Sequence, residues 1–127
     1  MNKAILITGV VAGMLAVILG AFGAHGLKKI VDLAAVDSFN TGVRYQMYHA
    51  IVLLVLGSMS KIEEQRKKSI FYLFTMGMVL FSGSIYLLVV DQSLGIDLSG
   101  IGFVTPIGGS LLIVGWFLFL RAIIKIK

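Results

Sequence analysis

Cysteine is absent from the 127 residues, proline occurs once and acidic side chains number only six. Without thiols the chain can form no disulfide, thiolate metal site or cysteine nucleophile. Charged residues of both signs make up 13% of the sequence against 58% hydrophobic, which leaves too little polar sequence for a separate soluble part. A single domain over residues 1–127 is expected. The lone proline and fifteen glycines suit membrane helices, where glycine permits close packing.

What is present is apolar sequence in four long runs: Ala4 to Ala24, Thr41 to Ser60, Ile70 to Val90 and Pro106 to Ile124. Each is close to the ~20 residues with which a helix crosses ~30 Å of hydrocarbon. The expected fold is therefore all-α: an up-and-down bundle of four transmembrane helices. Lys3 before the first run and Ala21-Phe22-Gly23-Ala24 at its end fit a cleaved signal segment, but the run exceeds the ~7 to 15 apolar residues typical of one and is read as a span.

The net charge of +5 does not point to nucleic acid, because the basic residues stand at the ends of apolar runs. Membrane lipids with anionic headgroups are their expected partners. With four spans, one side holds Lys3, Lys61, Arg66, Lys67, Lys68, Arg121, Lys125 and Lys127, and the other only Lys28, Lys29 and Arg44. The positive-inside rule then places both termini in the cytoplasm.

Gly9, Gly13, Ala16, Gly20 and Gly23 recur at helical spacing and form one stripe of small residues. Such a stripe lets another helix approach closely, either within the bundle or across a dimer. Between the first two runs, Leu27, Ile30, Val31 and Ala34 fall on one helical side and Lys28, Lys29 and Asp32 on the other. A short interfacial helix over Leu27 to Val36 is expected, acting as a surface anchor, a lid or a covered connection.

Polar residues gather toward the end of the bundle opposite the termini. Arg44, Tyr45, Gln46, Tyr48 and His49 lie in the outer half of the second run, with His49 about 12 Å deep and too short to snorkel. Ser82, Ser84 and Tyr86 lie toward the outer end of the third run, and Thr105 with Pro106 opens the fourth as helix cap and first turn. With His25 these residues define an expected outward-facing polar pocket. Trp116 marks the opposite boundary, although it is deep for an interfacial anchor.

The segments GAFGAHGL (Gly20 to Leu27), TGVRYQMYHA (Thr41 to Ala50), LFSGSIYLL (Leu80 to Leu88), VTPIGG (Val104 to Gly109) and the GW pair at Gly115 and Trp116 together resemble the small bacterial membrane family catalogued as domain of unknown function four-two-three. The resemblance runs through all four apolar runs. It implies a multi-pass plasma-membrane (inner-membrane) protein of four helices and brings no established activity.

Three classes of function stay open on the residues alone. If their helices are neighbours, His25 and His49 fit metal or haem ligation, proton passage or simple hydrogen bonding. No metal or cofactor is expected, because a catalytic zinc needs three protein ligands and the acids show no ligand spacing. An enzyme is disfavoured: Ser82 and Ser84 lie within a helix, with no acid placed to orient His49. The favoured expectation is a structural or lipid-interacting accessory protein, as a homo-oligomer or with a membrane-protein partner. The alternative is a small oligomeric transporter or channel component built around His49.

Overall fold

The computed structural model describes residues 1–127 and is entirely helical. Its helices are α1 (Asn2–Ala24), α2 (Leu33–Ser58), α3 (Glu64–Leu94) and α4 (Val104–Ile124), with single 3-10 turns at Leu27–Lys29 and Ser99–Ile101 in two of the links.

The interfacial helix expected over Leu27 to Val36 does not form. Leu27–Lys29 is one 3-10 turn, and Leu33 to Val36 are the first turn of α2. The break falls at Asp32, whose carboxylate accepts a hydrogen bond from the Ala35 amide at 2.8 Å. An aspartate so placed satisfies one of the unpaired amides of a helix start. The apolar side of this segment is nevertheless buried: Leu27, Ala35 and Val36 join Phe39 and Val89 in a small cluster that closes this end of the bundle. As a result, α2 begins eight residues before the expected Thr41.

Consecutive helices pack antiparallel, and glycines set how closely. On α1, Gly9 meets Ala50 and Leu54 of α2, and Gly23 meets Phe39 and Asn40; near the other end of α2, Gly57 meets Ile5 and Leu6. The small-residue stripe of α1 therefore faces α2 inside the chain, although not evenly. A methyl at Gly13 would make only ordinary contact, 3.8 Å from Ala50 Cβ. On α4, Gly108 lies against the backbone of Leu80 and Phe81, and Gly115 against Phe74. Across the same seam a methyl at Gly77 of α3 would come within 2.8 Å of Leu112.

These two tight pairs join through α2 and α3, whereas α1 and α4 do not pack along their lengths. The core still draws on all four helices, with Ile5, Leu53, Phe74 and Leu112 among its buried members. Outside it, Val10, Val17, Ile18, Val79, Ile113 and Phe117 are exposed. An apolar coat of this kind is what lipid, not water, surrounds. Three helical segments are long and apolar enough to cross a membrane: Asn2–Lys29, Glu64–Leu94 and Ser99–Ile124. α2 is not among them: its 26 residues suffice in length, but its first half carries Asp37, Asn40, Arg44, Gln46 and His49.

Close approach makes a specific demand on Gly108. Gly108→Ala should lower the thermal stability of the detergent-solubilised protein by the equivalent of ~1 to 3 kcal/mol, since the opposing atoms are backbone and cannot rotate away. Gly13→Ala should change it little. Equal melting temperatures for the two variants would refute this account of the α3–α4 seam.

Candidate functional site

Gln46, buried on α2, reaches two other helices at once. Its Nε2 donates to the Ala12 carbonyl of α1 at 2.8 Å, and its Oε1 accepts from the Tyr86 hydroxyl of α3 at 2.7 Å. Ala12 can accept because a helical carbonyl keeps a second lone pair after its backbone bond. Four residues earlier on the same helix, the Gly42 carbonyl accepts from Ser82 Oγ at 2.7 Å. The absence of a side chain at Gly42 admits the Tyr86 ring, which a methyl would meet at 2.9 Å. Thus Gln46, Ser82 and Tyr86 form one polar joint between α1, α2 and α3.

His49, also buried, faces α3 and α4. Its Nδ1 lies 2.6 Å from the Tyr45 carbonyl, and its Nε2 lies 3.1 Å from Trp116 Nε1. An indole nitrogen can only donate and a carbonyl can only accept, so one arrangement satisfies both contacts: neutral imidazole with its proton on Nδ1. Phe74 packs against both rings, with centroids at 5.4 Å from each. Both nitrogens of His49 are thereby engaged, Nδ1 within α2 and Nε2 in joining α2 to α4.

Thr105 is not the cap of α4. The helix starts at Val104, with Phe103 in the capping position and no side-chain cap bond. Thr105 Oγ1 instead lies 2.5 Å from Ser84 Oγ, whose own proton goes to the Phe81 carbonyl at 3.0 Å. Since a hydroxyl carries one proton, Thr105 is the donor in this α3–α4 contact.

The expected single polar pocket is therefore divided into three filled joints: Gln46–Tyr86 with Ser82, His49–Trp116, and Ser84–Thr105. Other residues assigned to it lie elsewhere. His25 is exposed beyond α1 and is not brought to His49, which faces the opposite helices. Arg44 is exposed and turns back to the Asn40 carbonyl of its own helix. Tyr48 is exposed, and Tyr45 is half-exposed with its ring against Phe81 at 4.9 Å. Nowhere do three histidine or carboxylate side chains converge as a metal would require.

Two polar contacts have no counterpart in the sequence reading. One is Trp116, whose depth was the only signal that its indole served something other than the membrane surface. The other is Lys67, almost fully buried near the start of α3, with its ammonium 3.0 Å from Asn2 Oδ1 of α1. Its position among basic neighbours made it resemble one more surface charge.

One of the larger openings in the bundle is apolar. Between α1 and α3 a groove of about 500 Å³ runs past Ile7, Val11, Leu15 and Leu19 on one wall and Met78, Val79 and Gly83 on the other. Its floor is the Gln46–Tyr86 joint, and the buried Thr75 hydroxyl on its α3 side has no partner. A methyl at Gly83 would meet nothing within 4 Å.

Packed helices with an apolar exterior, polar side chains turned inward and cations gathered at one end define an integral membrane protein. The family model described as "Protein of unknown function (DUF423)" matches residues 19–109, and the chain belongs to that family. It is 38% identical over 124 residues to UPF0382 membrane protein SSP2132 of Staphylococcus saprophyticus, covering 98% of this chain and 99% of that protein. It is 39% identical over 127 residues to UPF0382 membrane protein YwdK of Bacillus subtilis, covering 97% and 98%. Identity to UPF0382 inner membrane protein YgdD of Escherichia coli is 35% over 131 residues, covering 99% and 93%. No solved structure matches.

The joints can be separated by substitution. Gln46→Leu leaves the Tyr86 hydroxyl without its buried acceptor and should cost ~1 to 3 kcal/mol of stability, whereas Trp116→Phe should cost ~0.6 to 1.7, the range for one interhelical bond in a membrane. Trp116 is the only tryptophan, so His49→Leu should shift the emission maximum of the whole protein. Unchanged emission would dissolve the His49–Trp116 contact.

Proposed function

We propose that the chain is a four-span, non-catalytic protein of the bacterial plasma membrane, with both termini cytoplasmic, that serves as a structural or lipid-interacting accessory component. The observation that carries this reading is the division of space inside the protein. The interior polar groups of α2 are occupied by other helices, while the sizeable opening between α1 and α3 is apolar and faces sideways. A solute path needs polar groups free to exchange partners, and an acyl chain needs an apolar groove. The groove spans Ile7 to Leu19, about 18 Å of helix.

The packing supports α2 as the fourth span. It lies antiparallel against α1 from Phe39 beside Gly23 to Gly57 beside Ile5, so if α1 crosses the membrane α2 returns through the same slab. Its polar side chains at Gln46 and His49 are buried against neighbours. Basic residues again divide as eight on the side of the termini and three on the other, which supports the cytoplasmic assignment.

Because the chain has no cysteine of its own, topology can be read with single cysteines. An impermeant thiol reagent added outside cells should label Ser38→Cys and spare Ser60→Cys, and the reverse pattern would invert the topology. For the groove, Gly83→Leu should fold with near wild-type stability yet release acyl lipid retained through purification, as measured by mass spectrometry. Full retention by this variant would remove the groove from the proposal, and a pH-driven flux through wild-type proteoliposomes would favour a transporter instead.

A further inference from the structure

At the cytoplasmic end, where α3 begins and α4 finishes, a cleft of about 250 Å³ lies between the two helices. Arg66 lines it from α3, Arg121 from α4 and Lys125 from the capping position that ends α4, with Gln65 and Ser69 beside them. Its floor is apolar, made by the buried Ile70 and Ala122.

The charges in this cleft are only partly balanced by the protein. The only ion pair in the chain joins Arg66 Nε to Glu63 at 2.9 Å, and that glutamate is largely in solvent, its side chain 73% exposed. The pairing fixes the guanidinium and leaves its two terminal nitrogens for another acceptor. Arg121 and Lys125 are four apart, so they share a face of α4, where like charges repel each other. Neither takes part in that ion pair, and no acidic residue occurs anywhere from Val104 to Lys127. Part of their charge offsets the carboxyl end of the α4 dipole, but that serves one helix end and does not account for the third cation across the cleft.

We propose that this cleft is a binding site for the phosphate-bearing headgroup of an anionic phospholipid. The phosphate would sit between Arg66 and the Arg121–Lys125 pair, with the start of the acyl chains against the Ile70 and Ala122 floor. The site combines what each half of such a lipid requires: converging cations with the amide of Gln65 at the rim, and an apolar base below. Basic clefts between membrane helices on the cytoplasmic side recognise anionic headgroups by this combination. The inference rests on the proposed membrane topology and lipid-interacting role, but not on the α1–α3 groove.

The test uses the purified full chain in a neutral detergent, titrated with dioleoyl phosphatidylglycerol, dioleoyl phosphatidylcholine or inorganic phosphate, with bound lipid read by native mass spectrometry and stability by thermal shift. The wild type should hold phosphatidylglycerol in preference to phosphatidylcholine. Removing two charges with Arg121→Gln plus Lys125→Gln should weaken the phosphatidylglycerol affinity about 30-fold, and Lys125→Gln alone about 5-fold. Lys28→Gln plus Lys29→Gln, at the opposite end, should leave it intact. Equal affinity for the two lipids, or an equal loss in the Lys28 and Lys29 control, would overturn the site. Stabilisation by inorganic phosphate at millimolar concentration, abolished in the double variant, would overturn the lipid assignment in favour of a free anion. Gly83→Leu separates this site from the groove: it should release acyl lipid while the phosphatidylglycerol preference persists, so either proposal can fail alone. The single Lys125→Gln variant provides the measurement if the double variant does not fold.

Discussion

A side-chain amide buried among helices in hydrocarbon has no water at either end, so its donor and its acceptor must both find protein. Gln46 meets that requirement with two different helices, α1 through the Ala12 carbonyl and α3 through Tyr86. Much of the arrangement follows from it. To keep both bonds, α2 must lie between α1 and α3 with one rotation about its own axis. That rotation turns His49, three residues on, toward Trp116 of α4 and leaves Arg44 and Tyr48 facing outward. Individually such bonds are worth little in a membrane, ~0.6 kcal/mol on average. Their effect is selective: a rotated or shifted α2 would leave buried groups unpaired at a larger cost.

Glycine supplies the distance that polar pairing then exploits. Gly42 lets the Tyr86 ring lie against the α2 backbone, and its own carbonyl receives Ser82. Gly108 lets the start of α4 lie on the backbone of Leu80 and Phe81, close to where Thr105 meets Ser84. Close approach and hydrogen bonding thus occur at the same places. Lipid tails are as apolar as leucine, so helices gain little by merely burying apolar surface against one another. They gain by packing more closely than lipid can, and by pairing groups that lipid cannot satisfy.

The helices and their order were legible because hydrocarbon thickness imposes length on sequence, and the stripe from Gly9 to Gly23 was legible because helical spacing is a strong constraint. Asp32 was misread for a physical reason. An acidic residue on the polar side of a short amphipathic stretch has the same pattern as an aspartate that caps a new helix, and only the backbone geometry separates them. Gln46, His49, Ser82, Ser84, Tyr86 and Thr105 stand out in the sequence as polar residues in or beside apolar runs, but how they group across helices does not. Spacing along one helix says which face a residue occupies, and not which neighbour that face meets. His25 was placed with His49 on that account, and Thr105 was assigned to a cap when its hydroxyl serves Ser84. Trp116 and Lys67 escaped because each fits a common surface role in sequence, interfacial anchor or cytoplasmic charge, while the partners that bury them lie 67 and 65 residues away.

In the proposed four-span arrangement, α2 differs from its neighbours in what allows it to cross. α1, α3 and α4 are apolar enough to partition alone, whereas α2 carries Arg44, Gln46 and His49 in one half. Such residues are penalised on a lone helix. The penalty falls when the helix enters already packed against α1, because the Ala12 carbonyl accepts from Gln46 and the shared seam from Gly9 to Gly23 is closed. An α1–α2 hairpin is thus the smallest unit that crosses at reasonable cost, and α3 with α4 makes the second. Joining the two completes the Gln46–Tyr86 and His49–Trp116 bonds. The unit that assembles this way has the buried polar side chains of α2 engaged by its own folding, and what it presents to the membrane is apolar helix faces, the groove between α1 and α3 and a cation-lined end.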